Sequence, residues 1–188
     1  MRKIVLAITG ASGAVYGLRL LDELKKAGAE IHLVISAAAG QIIETEMGRS
    51  PRQVAEQADY CYRADDLAAP PASGSFLHQG MVVAPCSMKT LAAVAGGYAG
   101  NLITRAADVT IKERRRLILL PRETPLSPLH LENMLRLARL GVIIMPPVPA
   151  FYHRPQTIAD LVDQFTGRVL DLLEIENTLV KRWPGLTQ

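Results

Sequence analysis

The sequence predicts an α/β fold, a three-layer sandwich with a mostly parallel sheet of the flavodoxin or Rossmann type. Continuous runs of Val, Ile and Leu alternate with segments of helical length. Runs of that kind indicate strands buried on both faces, which is typical of parallel sheets. Right-handed crossovers then place helices on both faces of the sheet. Because ligands of such sheets bind beyond the carboxyl ends of the strands, we expect the functional site at that edge.

The first half of the chain contains three predicted strands and three predicted helices. Leucines at helical spacing, followed by Gly28, predict the first helix and its end. We expect strands over residues 3–9, 30–36 and 59–63, and helices over residues 14–27, 37–47 and 51–57. The two prolines and the glycine of residues 68–75 predict an ordered surface loop without regular structure, and the sequence suggests no partner for it within the chain.

The second half continues the alternation of strands and helices. Three more apolar runs predict strands over residues 81–84, 117–120 and 142–145. We expect helices over residues 87–95, 102–115, 128–140 and 157–176, and a rigid proline-rich loop over residues 146–149. Since no repeat, low-complexity tract or linker interrupts the sequence, residues 1–188 are predicted to form one domain.

The composition argues against several functional classes. The chain has 21 basic and 18 acidic residues, and a net charge of +3 is too small to imply nucleic acid. Aromatic residues make up 5% and form no stripe suited to base stacking. The sequence has no apolar stretch near the roughly 20 residues of a membrane helix, and no signal-peptide pattern. We therefore expect neither a nucleic-acid nor a membrane partner.

Cysteine usage and hydropathy suggest a cytoplasmic oligomer. Cys61 and Cys86 make no disulfide framework, so a reducing cytoplasm is the expected location. The His, Cys and Asp residues show no metal-ligand spacing, and we predict no metal. The mean hydropathy of +0.16 is slightly high for a small monomer, which suggests that sister subunits cover some apolar surface.

Two turns at the ends of predicted strands suit a phosphate group. The turn Gly10-Ala11-Ser12-Gly13 joins the first strand to the first helix, and the turn Cys86-Ser87-Met88-Lys89-Thr90 follows a central strand. Each turn combines small or hydroxyl residues with a helix N-terminus, and the second adds a lysine. A purely structural tight turn, with Ser12 or Ser87 as the helix N-cap, is the alternative interpretation.

A charged pair is fixed at the end of another strand. Arg122 and Glu123 lie between Pro121 and Pro125, directly after an apolar run. An arginine at the sheet edge can bind an anion, and a carboxylate there can act as acid or base.

Further charged residues have two open interpretations. Arg105 and Lys112 lie seven residues apart and project from one face of a predicted helix, where Asp108 could pair with either. Arg168 lies near Asp171, so a salt bridge is its alternative role. His153, in a loop beyond the last strand, is a candidate for facing a ligand.

These segments together resemble the flavin prenyltransferase family (UbiX-like) over essentially the whole chain. The matching motifs are Thr9-Gly10-Ala11-Ser12-Gly13-Ala14, Ala69-Pro70-Pro71-Ala72-Ser73-Gly74-Ser75, Pro85-Cys86-Ser87, Arg105-Ala106-Ala107-Asp108, Lys112-Glu113-Arg114-Arg115, Pro121-Arg122-Glu123, His130-Leu131-Glu132-Asn133-Met134 and Phe151-Tyr152-His153-Arg154-Pro155-Gln156. The resemblance implies a flavodoxin-like homo-oligomer, typically a dodecamer with shared sites. It also implies a metal-independent enzyme that joins the dimethylallyl group of dimethylallyl phosphate to N5 and C6 of reduced FMN, giving prenylated FMN for a partner decarboxylase.

The resemblance also assigns roles to individual residues. It implies that one group of residues holds FMN: Gly10, Ala11, Ser12, Ser36, Ser87, Met88, Lys89, Thr90 and Arg122. It implies that a second group surrounds the dimethylallyl phosphate: Arg105, Lys112, Glu123, Tyr152 and Arg168. Ser12 and Glu46 line the reaction centre in this scheme. Lys112 stabilises the phosphate charge that develops, and Glu123 is a candidate base.

Two alternative functions remain open at this point. The first is that of the related flavin-dependent cysteine decarboxylases, which resemble this chain in fold and use an Asn-bearing Pro-Ala-Ser-Ala-Asn-Thr segment. The corresponding stretch here, Pro71-Ala72-Ser73-Gly74-Ser75, lacks the Asn. The second is a flavin-binding or electron-transfer protein without catalytic activity, which would have no use for the predicted basic set.

Overall fold

The computed structural model describes residues 2–185, which contain six strands in one parallel sheet. The strands are β1 (Lys3–Ile8), β2 (Glu30–Ile35), β3 (Tyr60–Arg63), β4 (Gly80–Cys86), β5 (Arg116–Pro121) and β6 (Ile143–Ile144). Their order is β3-β2-β1-β4-β5-β6, and every neighbouring pair is parallel. The predicted α/β class with a mostly parallel sheet is therefore confirmed.

Within the described residues, seven α-helices connect and cover the strands. They are α1 (Ala14–Lys26), α2 (Ala37–Met47), α3 (Pro51–Ala55), α4 (Met88–Ala95), α5 (Leu102–Lys112), α6 (Pro128–Arg139) and α7 (Ile158–Leu172). Two of them, α5 and α7, end three or more residues before the predicted boundary. A residue with a left-handed backbone follows each: Arg114 at φ 54° after α5 and Glu174 at φ 58° after α7. A left-handed residue ends a helix, so neither can continue to the predicted boundary. Within residues 2–185 no helix is both long and apolar enough to span a bilayer.

Alternate side chains of the strands enter two cores, one on each face of the sheet. On β1, Ile4 and Leu6 pack with α1 and α7, whereas Val5 and Ala7 pack with α4, α5 and α6. All four β1 side chains are fully buried. In this three-layer arrangement each helix packs on one face of the sheet. The sheet therefore separates the side chains of helices on opposite faces within one chain.

The crevice at the carboxyl edge opens between β1 and β4. The chain winds outward from β1 through β2 to β3, and outward from β4 through β5 to β6, so the strand order reverses between these two neighbours. Ligands of doubly wound sheets bind at such a switch point. The helices that follow β1, β2 and β4 all begin at this edge. Their N-termini add positive potential to the crevice.

The segment of residues 68–75 differs from its prediction in two ways. Pro70–Ala72 forms a 3-10 turn, because prolines fix the φ angles that a tight turn needs. The segment also has partners in its own chain. Arg105 Nε donates to the Ala72 carbonyl at 3.1 Å, and Arg115 Nη2 donates to the Gly74 carbonyl at 2.7 Å. The expectation that it lacks an intrachain partner is therefore wrong.

Candidate active site

A buried hydroxyl joins the two predicted phosphate-type turns. Thr9 follows β1 and is 2% exposed. Its Oγ1 donates to the Pro85 carbonyl at 2.8 Å and accepts from the Ser87 backbone N–H at 2.8 Å. The turn after β1 and the turn after β4 are thereby held in one fixed relation. They form the two walls of the crevice at the switch point.

The N-terminus of α1 is capped by a carboxylate from α2. Glu46 Oε2 accepts from the backbone N–H groups of Gly13 and Ala14, both at 2.9 Å. Burial alone would raise the pKa of the Glu46 carboxyl, but hydrogen bonds from Ser12, Gly13 and Ala14, with the charge of Arg122, lower it overall. The N-cap of α1 is Gly13, whose φ of 101° suits glycine, so Ser12 is not the cap.

The turn after β4 retains the features of a phosphate site. Ser87 caps α4 by accepting from the Thr90 N–H at 3.3 Å, and its hydroxyl donates to Thr90 Oγ1 at 3.1 Å. Lys89 is exposed, and Met88 and Thr90 are half-buried beside it. On the neighbouring turn after β2, Ser36 caps α2 through the Ala39 N–H.

The turn after β1 packs tightly against the start of α2. A side chain at Gly10 would meet Ala38 Cβ at 2.4 Å, so only glycine fits there. Ala11 is buried behind Gly10. The turn after β1 and the turn between β2 and α2 consequently form one continuous surface at the edge of the sheet.

Arg122 and Glu123 lie at the end of β5, as predicted. Arg122 is half-buried and its Nε donates to the Ser12 carbonyl at 3.1 Å. The guanidinium is thus fixed over the turn after β1. Glu123 is exposed and accepts from the Thr124 N–H at 3.0 Å through one oxygen. Its other oxygen accepts no hydrogen bond from the described residues 2–185.

Tyr152 and Arg168 line one cavity of about 390 Å³ beyond β6. Most of its other lining residues are apolar, including Met145, Val148 and Phe165. Phe165 contacts Tyr16 of α1 edge to face, with centroids 5.1 Å apart, and Tyr16 lies against Gly13. The cavity is connected to the turn after β1 by this aromatic pair. An apolar cavity with one arginine and one phenol suits a small apolar group that carries an anion.

Arg105 and Lys112 do not line that cavity within one chain. The Leu102 N–H of α5 bonds to the Ala64 carbonyl just after β3, and the α5 residue Thr110 contacts His78 just before β4. Helix α5 therefore runs from the carboxyl edge to the amino edge of the sheet. Lys112, at its C-terminal end, pairs with Glu113.

The helices that carry these charges also pack on opposite faces of the sheet. Arg105 pairs with Asp108 at 3.1 Å on α5, which packs on the face opposite α7. Arg168 of α7 pairs with Asp171 at 2.8 Å. The ion pairs that were the alternative interpretation of Arg105 and Arg168 are thus present. The fold of a single chain does not bring Arg105 and Lys112 together with Tyr152 and Arg168.

Three further reactive side chains, Cys86, His78 and His153, are wholly or partly buried. Burial raises the pKa of the Cys86 thiol to about 12, so this cysteine is a small buried side chain, as expected. Burial is also the main cause that lowers the pKa of His78 to about 4. The two ring nitrogens of His153 are buried without a hydrogen-bond partner in the described chain. Among residues 2–185, no group of three or more His, Cys, Asp or Glu residues is arranged to hold a metal.

Two residues that organise the site, Thr9 and Gln164, have no functional role predicted from the sequence. Thr9 is the last residue of an apolar run, and its hydroxyl is a signal that could have marked the connection to Ser87. Gln164 is a polar residue on the buried face of α7, and its Nε2 donates to Tyr152 Oη at 2.7 Å. A lone buried amide on an apolar helix face needs a partner.

Known proteins are similar to this chain over nearly its whole length. The model of the Flavoprotein family matches residues 1–182. A curated relative, flavin prenyltransferase UbiX of Methanothermobacter thermautotrophicus, is 53% identical over 98% of this chain and 97% of its own length.

Two solved structures are similar over nearly the whole chain. The first is AnUbiX (PadA1) in complex with FMN and dimethylallyl pyrophosphate, with a TM-score of 0.97 and 50% identity over 99% of both chains. The second is a dodecameric FMN-dependent UbiX-like decarboxylase from Escherichia coli O157:H7. Its TM-score is 0.95 at 49% identity, over 97% of this chain and 100% of that one.

Proposed function

This chain belongs to the Flavoprotein family and, within it, to the flavin prenyltransferases, and from that premise we propose that it prenylates reduced FMN with a dimethylallyl phosphate ester. The observation that carries the proposal is an FMN-type crevice connected to an apolar cavity that contains Arg168 and Tyr152. An electron carrier would need the crevice but not the cavity.

The crevice residues fit the parts of FMN. Glu46 already occupies the positive N-terminus of α1, so an added phosphate is better received by the turn after β4. There the hydroxyl groups of Ser87 and Thr90 and the ammonium group of Lys89 surround the start of α4. Gly10, Ala11, Ser12, Ser36, Met88 and Arg122 form the rest of the proposed flavin surface. When bound, reduced FMN supplies the nucleophilic ring atoms.

The cavity residues fit the allyl phosphate. The Arg168 guanidinium and the Tyr152 hydroxyl can bind the phosphate, and the apolar lining receives the five-carbon group. Breaking the allylic carbon–oxygen bond increases the negative charge on the phosphate, which cations stabilise. The apolar lining excludes water, which would otherwise capture the allyl group.

Proton handling belongs to the carboxylates at the crevice. Glu123 presents a free oxygen at the end of β5 and is our candidate acid–base group beside the phosphate. Glu46 is held ionised by the amides of α1 and by Ser12. We propose that Ser12 and Glu46 form a hydrogen-bonded pair that can accept or return a proton on the other side of the crevice.

We further propose that Arg105 and Lys112 complete the site of another subunit. Large apolar side chains are exposed on one chain, such as Leu129 and Val148, each 69% exposed, and Ile158 at 78%. Exposed apolar surface of this kind supports burial between copies. The dodecameric relative supports a dodecamer with shared sites.

The wider context of the protein is part of the same proposal. The unpaired Cys61 and Cys86 support a cytoplasmic location, and a decarboxylase is the proposed recipient of the prenylated FMN. The family match to residues 1–182 supports a single domain over residues 1–188.

A titration distinguishes the candidate functions. FMN-loaded protein is titrated with dimethylallyl phosphate by calorimetry, with inorganic phosphate and isopentanol as separate controls. A prenyltransferase binds the ester more tightly than either fragment, because Arg168 and the apolar lining act on one molecule. Equal affinities for the ester and for inorganic phosphate would reject the proposed use of the cavity.

A further inference from the structure

The hydroxyl group of Tyr152 is oriented by a buried amide from α7. Gln164 is 4% exposed, and its Nε2 donates to Tyr152 Oη at 2.7 Å. The Tyr152 oxygen is therefore the acceptor in this bond. The Tyr152 hydroxyl group can therefore donate its proton to another acceptor.

The orientation of the Gln164 amide follows from its other contacts. The Lys181 backbone N–H donates to Gln164 Oε1 at 2.9 Å, and the Lys181 carbonyl accepts from Nε2 at 3.3 Å. A backbone N–H can only donate, so the amide oxygen must face Lys181. If the amide were flipped, its NH2 group would face the Lys181 N–H, so that two donors would oppose each other. The amide oxygen would then face the Lys181 carbonyl, so that two acceptors would also oppose each other. The amide nitrogen consequently faces Tyr152.

We propose that Gln164 is a positioning residue, which turns the Tyr152 hydroxyl proton toward the phosphate of the allyl substrate. Tyr152, Gln164 and Arg168 line the same cavity, so the free proton and the guanidinium serve one anion. This inference rests on the proposed function, because it names the direction of a hydrogen bond within that site.

The C-terminal segment of residues 176–185 takes part through Lys181. It is fastened to α7 by Arg182, whose Nη1 and Nη2 donate to the two oxygens of Asp171 at 3.1 and 3.0 Å. The neighbouring residue Trp183 contacts the Tyr152 ring edge to face, with centroids 5.7 Å apart. The segment therefore holds both the ring of Tyr152 and the amide that orients its hydroxyl group.

The test is Gln164→Glu, which keeps the shape of the side chain and reverses one hydrogen bond. A carboxylate accepts from the Lys181 N–H and also from the Tyr152 hydroxyl, so it captures the proton that the substrate needs. We expect KM for dimethylallyl phosphate to rise on the order of tenfold to a hundredfold, the loss of one hydrogen bond to a charged group. FMN affinity should be unchanged. Gln41→Glu, an exposed change on α2 of the same charge, is the matched control.

Two further readouts separate orientation from a general structural effect. Tyr152→Phe should raise KM by a similar factor, and the double variant should be no worse than either single variant, because both remove the same hydrogen bond. Lowering the pH should restore Gln164→Glu relative to wild type, since a protonated carboxyl group can donate to Tyr152 again.

Each outcome decides the proposal. Additive losses in the double variant, or an unchanged KM for Gln164→Glu, would overturn it. If Gln164→Glu does not assemble, the proposal is tested with Tyr152→Phe. An unchanged KM for dimethylallyl phosphate in that variant would overturn the proposal. Wild-type protein that forms no prenylated FMN would instead reject the proposed function itself.

Discussion

The carboxylate of Glu46 accepts a hydrogen bond from the backbone N–H of Gly13 at 2.9 Å, so a residue of α2 caps the N-terminus of α1. This contact spans 33 positions of the chain and joins the turn after β1 to the helix after β2. It neutralises one of the positive helix ends in the crevice and leaves the start of α4 for an external phosphate.

Removing the charge of Glu46 should destabilise the fold above acidic pH. We expect Glu46→Gln to cost about 1 kcal/mol in urea unfolding, the usual size of a helix cap, and Glu44→Gln on the same helix to cost little. The folded-state pKa of Glu46 lies below its ordinary 4.5. Its stabilisation is therefore present above pH 4.5 and is lost as the pH falls through the lower folded value. A difference in unfolding free energy between wild type and Glu46→Gln that grows as the pH falls would contradict this assignment.

Arg122 and Lys112 should have separable roles. Arg122 is fixed over the flavin-side turn by the Ser12 carbonyl, so Arg122→Ala should weaken FMN binding in a fluorescence titration. Lys112→Ala should spare FMN and weaken dimethylallyl phosphate, by roughly 1.5–3 kcal/mol for a charged hydrogen bond. Lys112→Ala protein that binds and converts the phosphate like wild type would identify this lysine as a partner of Glu113 only.

Mixed oligomers can test whether the site is shared. Lys112 and Arg168 lie on helices that pack on opposite faces of the sheet, so we expect them to meet only between chains. At dimethylallyl phosphate concentrations near the wild-type KM, Lys112→Ala and Arg168→Ala should each be nearly inactive. Oligomers co-expressed from both variants should regain activity, because some sites receive both native side chains. Oligomers that mix, as shown by mass spectrometry, yet stay inactive would place both residues in one chain.

Much of the fold was predictable because its signals are local. Apolar runs gave β1, β4 and β5 to within a few residues, and the glycine turn after β1 marked the correct edge of the sheet. The ends of α5 and α7 were missed because Arg114 and Glu174 adopt left-handed conformations that no glycine announces. The 3-10 turn at Pro70–Ala72 is not predicted from the sequence, because prolines indicate a break in regular structure more directly than a specific tight turn.

The site was predictable as a set of residues but not as an arrangement. Helical spacing places Arg105 and Lys112 on one face of α5, yet it does not say which layer α5 joins. That choice depends on long-range packing. Gln164 was missed for the same reason, since its contacts with Tyr152 and Lys181 span 12 and 17 positions and depend on how the chain folds back over α7.

Glu123→Gln should separate binding from chemistry. Gln keeps the shape of the side chain and can still accept from the Thr124 N–H, but it cannot carry a proton. FMN and dimethylallyl phosphate should still bind, whereas product formation should slow by on the order of 10²–10⁴, the usual size of a lost acid–base group. Single-turnover kinetics measure this rate. Wild-type turnover would make Glu123 structural and would leave the proton to Glu46 or the phosphate.

The central claim is tested most directly by the mass of the flavin product. The protein is incubated anaerobically with reduced FMN and dimethylallyl phosphate, with and without a chelator, and the released flavin is analysed by mass spectrometry. We predict a flavin heavier than FMN by one C5H8 unit, formed at the same rate in both samples and not formed by the Arg168→Ala variant. Recovery of only unmodified FMN from the wild-type protein would contradict the assignment as a flavin prenyltransferase.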